Sequence, residues 1–178
     1  MTGLLPRELP PGRVLHVVRA PASALGVAAV AVDPYDDAVV ALAADLLATQ
    51  RASRGCVGLA APQVGVSSRV FSLDVTGHAK ARHSSGPLVL VNPVVVAAAR
   101  PERGREGCLS VPDLTGDVKR ATRLTVTGLV PGTGAELTIE TDAFEARALQ
   151  HEVDHLDGLL FLDRVAGAHA VHARRVYL

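Results

Sequence analysis

QHEVDHLDG, residues 150–158, is the stretch that decides how this chain is read. His151 and His155 are four residues apart, with Glu152 directly after the first. On a helix, the two imidazoles lie on one face, one turn apart. That spacing lets a zinc-type ion take both, and it leaves Glu152 beside the water that completes such a site. The flanking pattern supports a helix over DAFEARALQHEVDHLDG (142–158), opening at Asp142 and closing at Gly158. Leu149, Val153 and Leu156 then face a core while the histidines face a pocket. The competing reading is a solvated amphipathic turn that carries its histidines without purpose.

Two imidazoles need a third partner. The downstream options are poor. The pattern HExxHxxGxxH is followed only as far as Gly158, after which Phe161 stands where a third histidine belongs. No glutamate follows Glu152, and His169 and His172 have neither usual spacing. Upstream, REGCLSVP offers Cys108. A thiolate with two imidazoles leaves one position open, as catalytic sites require. Gly107 before it allows close backbone approach. A lone cysteine is otherwise most simply a small buried hydrophobe.

The bulk composition excludes several functions. The 178 residues fit one domain, expected over 1–178 and large enough to fold without disulfides. Lys+Arg and Asp+Glu number 18 each, so no net charge points to nucleic acid or an anionic membrane. Aromatic residues are only 3%, so Val, Leu and Ala must build the core around Phe71, Phe144 and Phe161. No apolar run approaches the roughly 20 residues of a membrane span. Cys56 and Cys108 are expected to be reduced thiols in a cytoplasmic protein.

The remaining segments suggest a coarse architecture. Residues 1–13, rich in Pro and Gly, read as a loose arm. DPYDDAVVALAADLLATQRA (33–52) reads as a core helix with Asp33 as N-cap and Pro34 in first position. GCVGLAAPQVG (55–65) reads as a small-residue loop. RVFSLDV (69–75) and PLVLVNPVVV (87–96) read as strands, the second interrupted at Pro93. ARPERGREG (99–107) reads as a polar loop, and 118–141 as a hairpin around PGTG. LLFLDRV (159–165) reads as extended, and the tail 166–178 is ambiguous. Strands first and a helix late argue for an α+β fold. Arg120 is a candidate ion-pair brace for Glu106.

GLAAPQVG (58–65), EGCLS (106–110) and QHEVDHLDG (150–158) together resemble, in order and spacing, the three signature motifs of peptide deformylases. The resemblance spans roughly residues 13–165. It implies antiparallel or mixed β-sheets packed around a central helix bearing HExxH, with a second helix near the N-terminus. It also implies an activity: removal of the formyl group from the N-terminal formylmethionine of new polypeptides. Cys108, His151 and His155 would bind the metal, with Glu152 as general base and acid. The Gln63 amide and the Leu109 backbone N–H would hold the oxyanion. Val57, Gly58 and Gly107 would lie along the substrate peptide. Ala148, a small residue near His151, leaves room for a methionine side chain. The implied cofactor is one divalent ion, Fe(II) in the cell, with Zn(II), Ni(II) or Co(II) possible in purified protein. The implied partners are formylmethionyl nascent peptides at the ribosome exit, with no direct nucleic-acid or membrane contact. A monomer is the expected state.

One position departs from the pattern. Cys56 stands where the family's first motif has glycine. It should narrow the entrance to the cleft, and it brings a second thiol towards the metal site. A different metal hydrolase and a family member that binds without turnover remain the rival readings. Against the latter, every residue that the chemistry needs is present.

Overall fold

The computed structural model describes residues 9–175. In chain order it contains helix α1 (Asp37–Ala52), strands β1 (Gly58–Ala60), β2 (Val70–Leu73), β3 (Leu88–Cys108), β4 (Val111–Leu129) and β5 (Glu136–Asp142), helix α2 (Ala143–Leu156) and strand β6 (Val171–Ala173). The strands form one six-stranded sheet in the order β1-β2-β3-β4-β5, with β6 added to β4. Every pairing between named strands is antiparallel, so the α+β reading holds, with one sheet in place of several.

The two helices pack on opposite faces of β2 and β3. Side chains alternate between faces along a strand. Phe71, Leu73, Leu88 and Leu90 meet Leu149, Val153 and Leu156 of α2. Val70, Val89 and Val91 meet Val39, Leu42, Leu46 and Leu47 of α1. Both faces are covered, which explains why PLVLV is a continuous apolar run. It also fixes α2: its Leu and Val row is held by the sheet, so the histidine row must face the other way.

Several segments differ from the sequence reading. Helix α1 starts at Asp37, not at Pro34. Asp36 is the N-cap and accepts from Ala38 N–H at 2.8 Å, while Asp33 caps a preceding turn through Tyr35 N–H at 2.9 Å. The expected loop 55–65 contains β1 and a 3₁₀ turn at Ala61–Val64. The described part of the expected loose arm is tied down. Arg13 N–H donates to Asp45 at 2.6 Å, its guanidinium pairs with the same carboxylate at 2.8 Å, and Leu15 N–H donates to Thr49 at 2.9 Å. Residues 1–8 and 176–178 of the expected arm and tail lie outside the described residues. Phe161–Arg164 is a 3₁₀ turn and not an extended segment.

The largest difference is β3. It runs through Pro93 and past residue 96, and the expected loop 99–107 is strand. A register shift between Val91 and Val94 absorbs Asn92 and Pro93. A bulge needs no ladder hydrogen bond from proline. Asn92 adopts φ 50 and clamps Val32 through both ends of its amide, at 3.0 and 2.8 Å. Beyond it, residues 94–103 are exposed and have no burial alternation to read. Pairing with β4 holds them, down to Cys108 opposite Val111.

Helix α2 runs into Gly158, which has φ +74; a Cβ there would sit 2.8 Å from the Val27 carbonyl carbon. Gly158→Ala should therefore lose more than about 1 kcal/mol of stability, from the strained backbone and the clash together. Urea unfolding should show a lower midpoint at unchanged slope.

Candidate metal centre

Two elements deliver the three donors. Cys108 ends β3 at the tight turn into β4, and His151 and His155 project from α2. One ligand atom from each lies within 4.8 Å of the other two. Cys108 Sγ is 3.2 Å from His155 Nε2, and both side chains are buried. The imidazoles meet edge to face, with ring centroids 4.8 Å apart.

The surroundings prepare His151 and Cys108, whereas His155 Nδ1 is buried without a hydrogen-bond partner. His151 Nδ1 is 3.0 Å from Glu106 Oε2, a pairing that turns Nε2 towards the cluster. Burial pushes the Cys108 thiol up. The charge of His155 and the hydrogen bonds from both histidines outweigh that and hold the thiol well below its ordinary value. The Gln63 amide is oriented at both ends. Its oxygen accepts from Ala60 N–H at 3.0 Å, while its nitrogen faces Cys108 Sγ at 3.4 Å and Ser110 Oγ at 3.3 Å. A divalent ion fits this set. Thiolate and imidazole are the donors such an ion takes, and Cys108, His151 and His155 would hold it as the three-ligand set that catalytic sites use.

Glu152 sits beside the donors, 3% exposed, and its Oε2 has no hydrogen-bond partner. Burial is the main cause that raises its carboxyl to about 7. Gly58 explains how β1 passes so close. A Cβ at Gly58 would stand 2.5 Å from Glu152 Oε1, so a side chain there would displace the carboxylate. The site thus needs glycine at 58 for space before any contact with a ligand is considered.

A cleft of about 280 Å³ opens over these groups. Val57 and Gly58 line one wall, and Gly107, Cys108 and Leu109 line the other. Phe144, Ala148 and Glu152 of α2 form its base. Cys56 also lines it, and its Sγ donates to the Gly58 carbonyl at 3.1 Å. Burial pushes the Cys56 thiol up to about 12, so it stays protonated and is a poor redox partner for Cys108. Both cysteines are free.

Glu106 is the hub behind the donors. Arg120, 5% exposed, pairs with it at 2.9 and 3.0 Å and with Asp154 through its other nitrogen. The proposed brace is therefore a buried contact and not a solvated charge. Arg147 adds 2.9 Å to Glu106, and Arg164 adds 2.7 Å to Asp154. Burial raises the Glu106 carboxyl, but His151 and Arg120 prevail and bring it down to about 2. Sequence reasoning missed Asp154, Arg147 and Ser110. Asp154 lies inside HEVDH and Ser110 inside EGCLS, but nothing in their spacing announces a partner. His78 stacks on Phe144, with ring centroids 4.0 Å apart, and lines the cleft.

Comparison with known proteins points one way. A family model described as polypeptide deformylase matches residues 14–170. A peptide deformylase of Pelotomaculum thermopropionicum is 44% identical over 126 residues, 71% of this chain and 75% of that protein. Peptide deformylase 1 of Vibrio vulnificus is 48% identical over 126 residues, 71% of each. The crystal structure of the Ehrlichia chaffeensis peptide deformylase superposes with TM-score 0.80 at 32% identity, covering 88% of this chain and 90% of that one. A Met-Ala-Ser-bound class I type b peptide deformylase from Acinetobacter baumannii gives TM-score 0.77 at 35% identity, covering 85% and 99%.

Glu106→Gln removes the anion behind His151 and should weaken metal binding by about 10- to 100-fold. Competition for Zn(II) against a chromophoric chelator measures this. Unchanged affinity would show that Glu106 braces the fold without tuning the donor.

Proposed function

The chain belongs to the peptide deformylase family, and we infer from this that it hydrolyses the N-terminal formyl group of formylmethionyl polypeptides and releases formate. The observation that supports it best is the convergence of Cys108, His151 and His155 with Glu152 and the Gln63 amide around one cleft.

Cys108, His151 and His155 would hold one divalent ion, Fe(II) in the cell and Zn(II), Ni(II) or Co(II) in isolated protein. When bound, such an ion supplies Lewis acidity and makes water acidic enough to ionise near neutral pH. The chain's own residues do the rest. Glu152, with a free oxygen in a dry setting, takes the water proton and passes it to the departing amine. The Gln63 Nε2–H and the Leu109 N–H stabilise the charge that grows on the formyl oxygen. Val57, Gly58 and Gly107 offer backbone on both walls to an extended peptide. The methionine side chain enters beside Ala148, with Phe144 as the larger apolar surface. A formyl carbon bears only hydrogen, so a close-fitting site rejects larger acyl groups.

On this reading the chain is a single catalytic domain that works as a monomer in the cytoplasm, on nascent chains at the ribosome exit. Among the described residues no helix is long and apolar enough to cross a membrane.

Formate release from formyl-Met-Ala-Ser, with protein loaded anaerobically with Fe(II) or Ni(II), tests the reading. Wild type should turn over and leave acetyl-Met-Ala-Ser intact. Glu152→Ala should lose about 10²–10⁴-fold in rate while keeping its metal. Folded, metal-loaded wild type that releases no formate would reject the function. Separately, Gln63→Leu should lower kcat by about 10²–10³. A change confined to KM would move Gln63 from oxyanion donor to ground-state contact.

A further inference from the structure

Arg174 also lines the cleft, beside Gly107 and Cys108. It directly follows β6, whose pairing of Ala173 with Leu114 sets its position. Its backbone N–H donates to the Asp113 carbonyl at 2.8 Å. The side chain then lies against Gly107 and Cys108. Its Nη2 donates to the Cys108 carbonyl oxygen at 3.2 Å. Gly107 makes that approach possible, because a Cβ there would stand 2.4 Å from the same nitrogen. Arg174 Nε is buried without a partner. The nearby cation Arg105 is engaged elsewhere, with Asp117 at 2.6 Å and Thr115 at 3.3 Å.

The carbonyl that Arg174 holds and the N–H of Leu109 are two ends of one peptide unit. A cation bonded to the oxygen draws electron density through the amide and makes the N–H a stronger donor. It also fixes the plane of the unit, and hence the direction of the N–H. We propose that Arg174 is a positioning residue for the deformylation reaction: it orients and polarises the Cys108–Leu109 peptide, so that the Leu109 N–H binds the developing oxyanion more strongly. This deepens the reading above and rests on Leu109 as an oxyanion donor. The contribution belongs to the transition state, because the charge on the formyl oxygen is small in the bound substrate. It therefore falls on kcat and leaves KM nearly unchanged.

The test uses the full chain, loaded with metal, as wild type, Arg174→Ala, Arg174→Lys and Arg175→Ala. Arg175 is exposed and serves as the control for loss of a neighbouring charge. Polarisation of about 10–30% on a donor that contributes 10²–10³ predicts a fall in kcat of about two- to eight-fold for Arg174→Ala. KM, metal content and Arg175→Ala activity should stay at wild-type values. Arg174→Lys should recover most of the loss, since it restores a cation within reach of the oxygen. In the zinc-loaded protein the Leu109 amide proton should move upfield in Arg174→Ala and return in Arg174→Lys. An unchanged kcat, an unmoved Leu109 amide, or a loss that tracks lost metal would overturn the proposal. Wild type that releases no formate would instead sink the deformylase reading, and the Leu109 amide would still report whether Arg174 polarises this peptide.

Discussion

Glu106 is where the molecule is fastened. It lies two residues before Cys108 on β3, and its carboxylate is shared by Arg120 of β4 and by Arg147 and His151 of α2. One buried anion therefore sets the distance between the strand that supplies sulfur and the helix that supplies imidazole. Breaking such a network by removing one member leaves charge uncompensated in the interior, at about 3–5 kcal/mol. Asp154 repeats the arrangement one turn further along α2, sharing Arg120 and adding Arg164. The donors do not need to find each other. The ion pairs hold them in place, and a metal need only add its own bonds.

The second constraint is the division of α2 into two faces. The sheet takes Leu149, Val153 and Leu156, the cleft takes His151 and Glu152, and Ala148 belongs to both. On the cleft face Glu152 is buried as deeply as the apolar row, and His151 is half-buried. That is tolerable only because each has a charged or hydrogen-bonded neighbour, or is left free for chemistry. Glu152 Oε2 belongs to the last kind. Buried polar groups without partners are rare enough that one in a cleft beside three metal-type donors reads as function.

Much of this was legible before any coordinates. HEVDH carried its own geometry, because the four-residue spacing and the Leu149–Val153–Leu156 row agree on one helix and one orientation. EGCLS supplied an upstream thiol with a glycine before it, and its match to a signature motif set it apart from Cys56, which follows Gly55. The outer half of β3 was not legible. ARPERGREG has proline, glycine and charge, and its strand is held by backbone pairing to β4 with no apolar face to betray it. Asp154 and Arg147 were equally silent, since salt bridges between distant segments leave no periodic trace. The start of α1 slipped by three residues because two aspartates compete as caps: Asp33 holds the turn before the helix, and Asp36 caps the helix itself.

The order of the strands also bears on how the site comes into being. A chain emerges from synthesis N-terminal end first. The apolar layer of α1, β1, β2 and the start of β3 is synthesised early, whereas Cys108 must wait for His151 and His155, more than forty residues later. Until α2 has docked, the thiol is one isolated ligand and holds metal weakly, if at all. The strand β6, which closes over β4 and brings up Arg174, comes later still. The three candidate ligands therefore meet only when α2 docks, and an ion held by all three would have to arrive after that step.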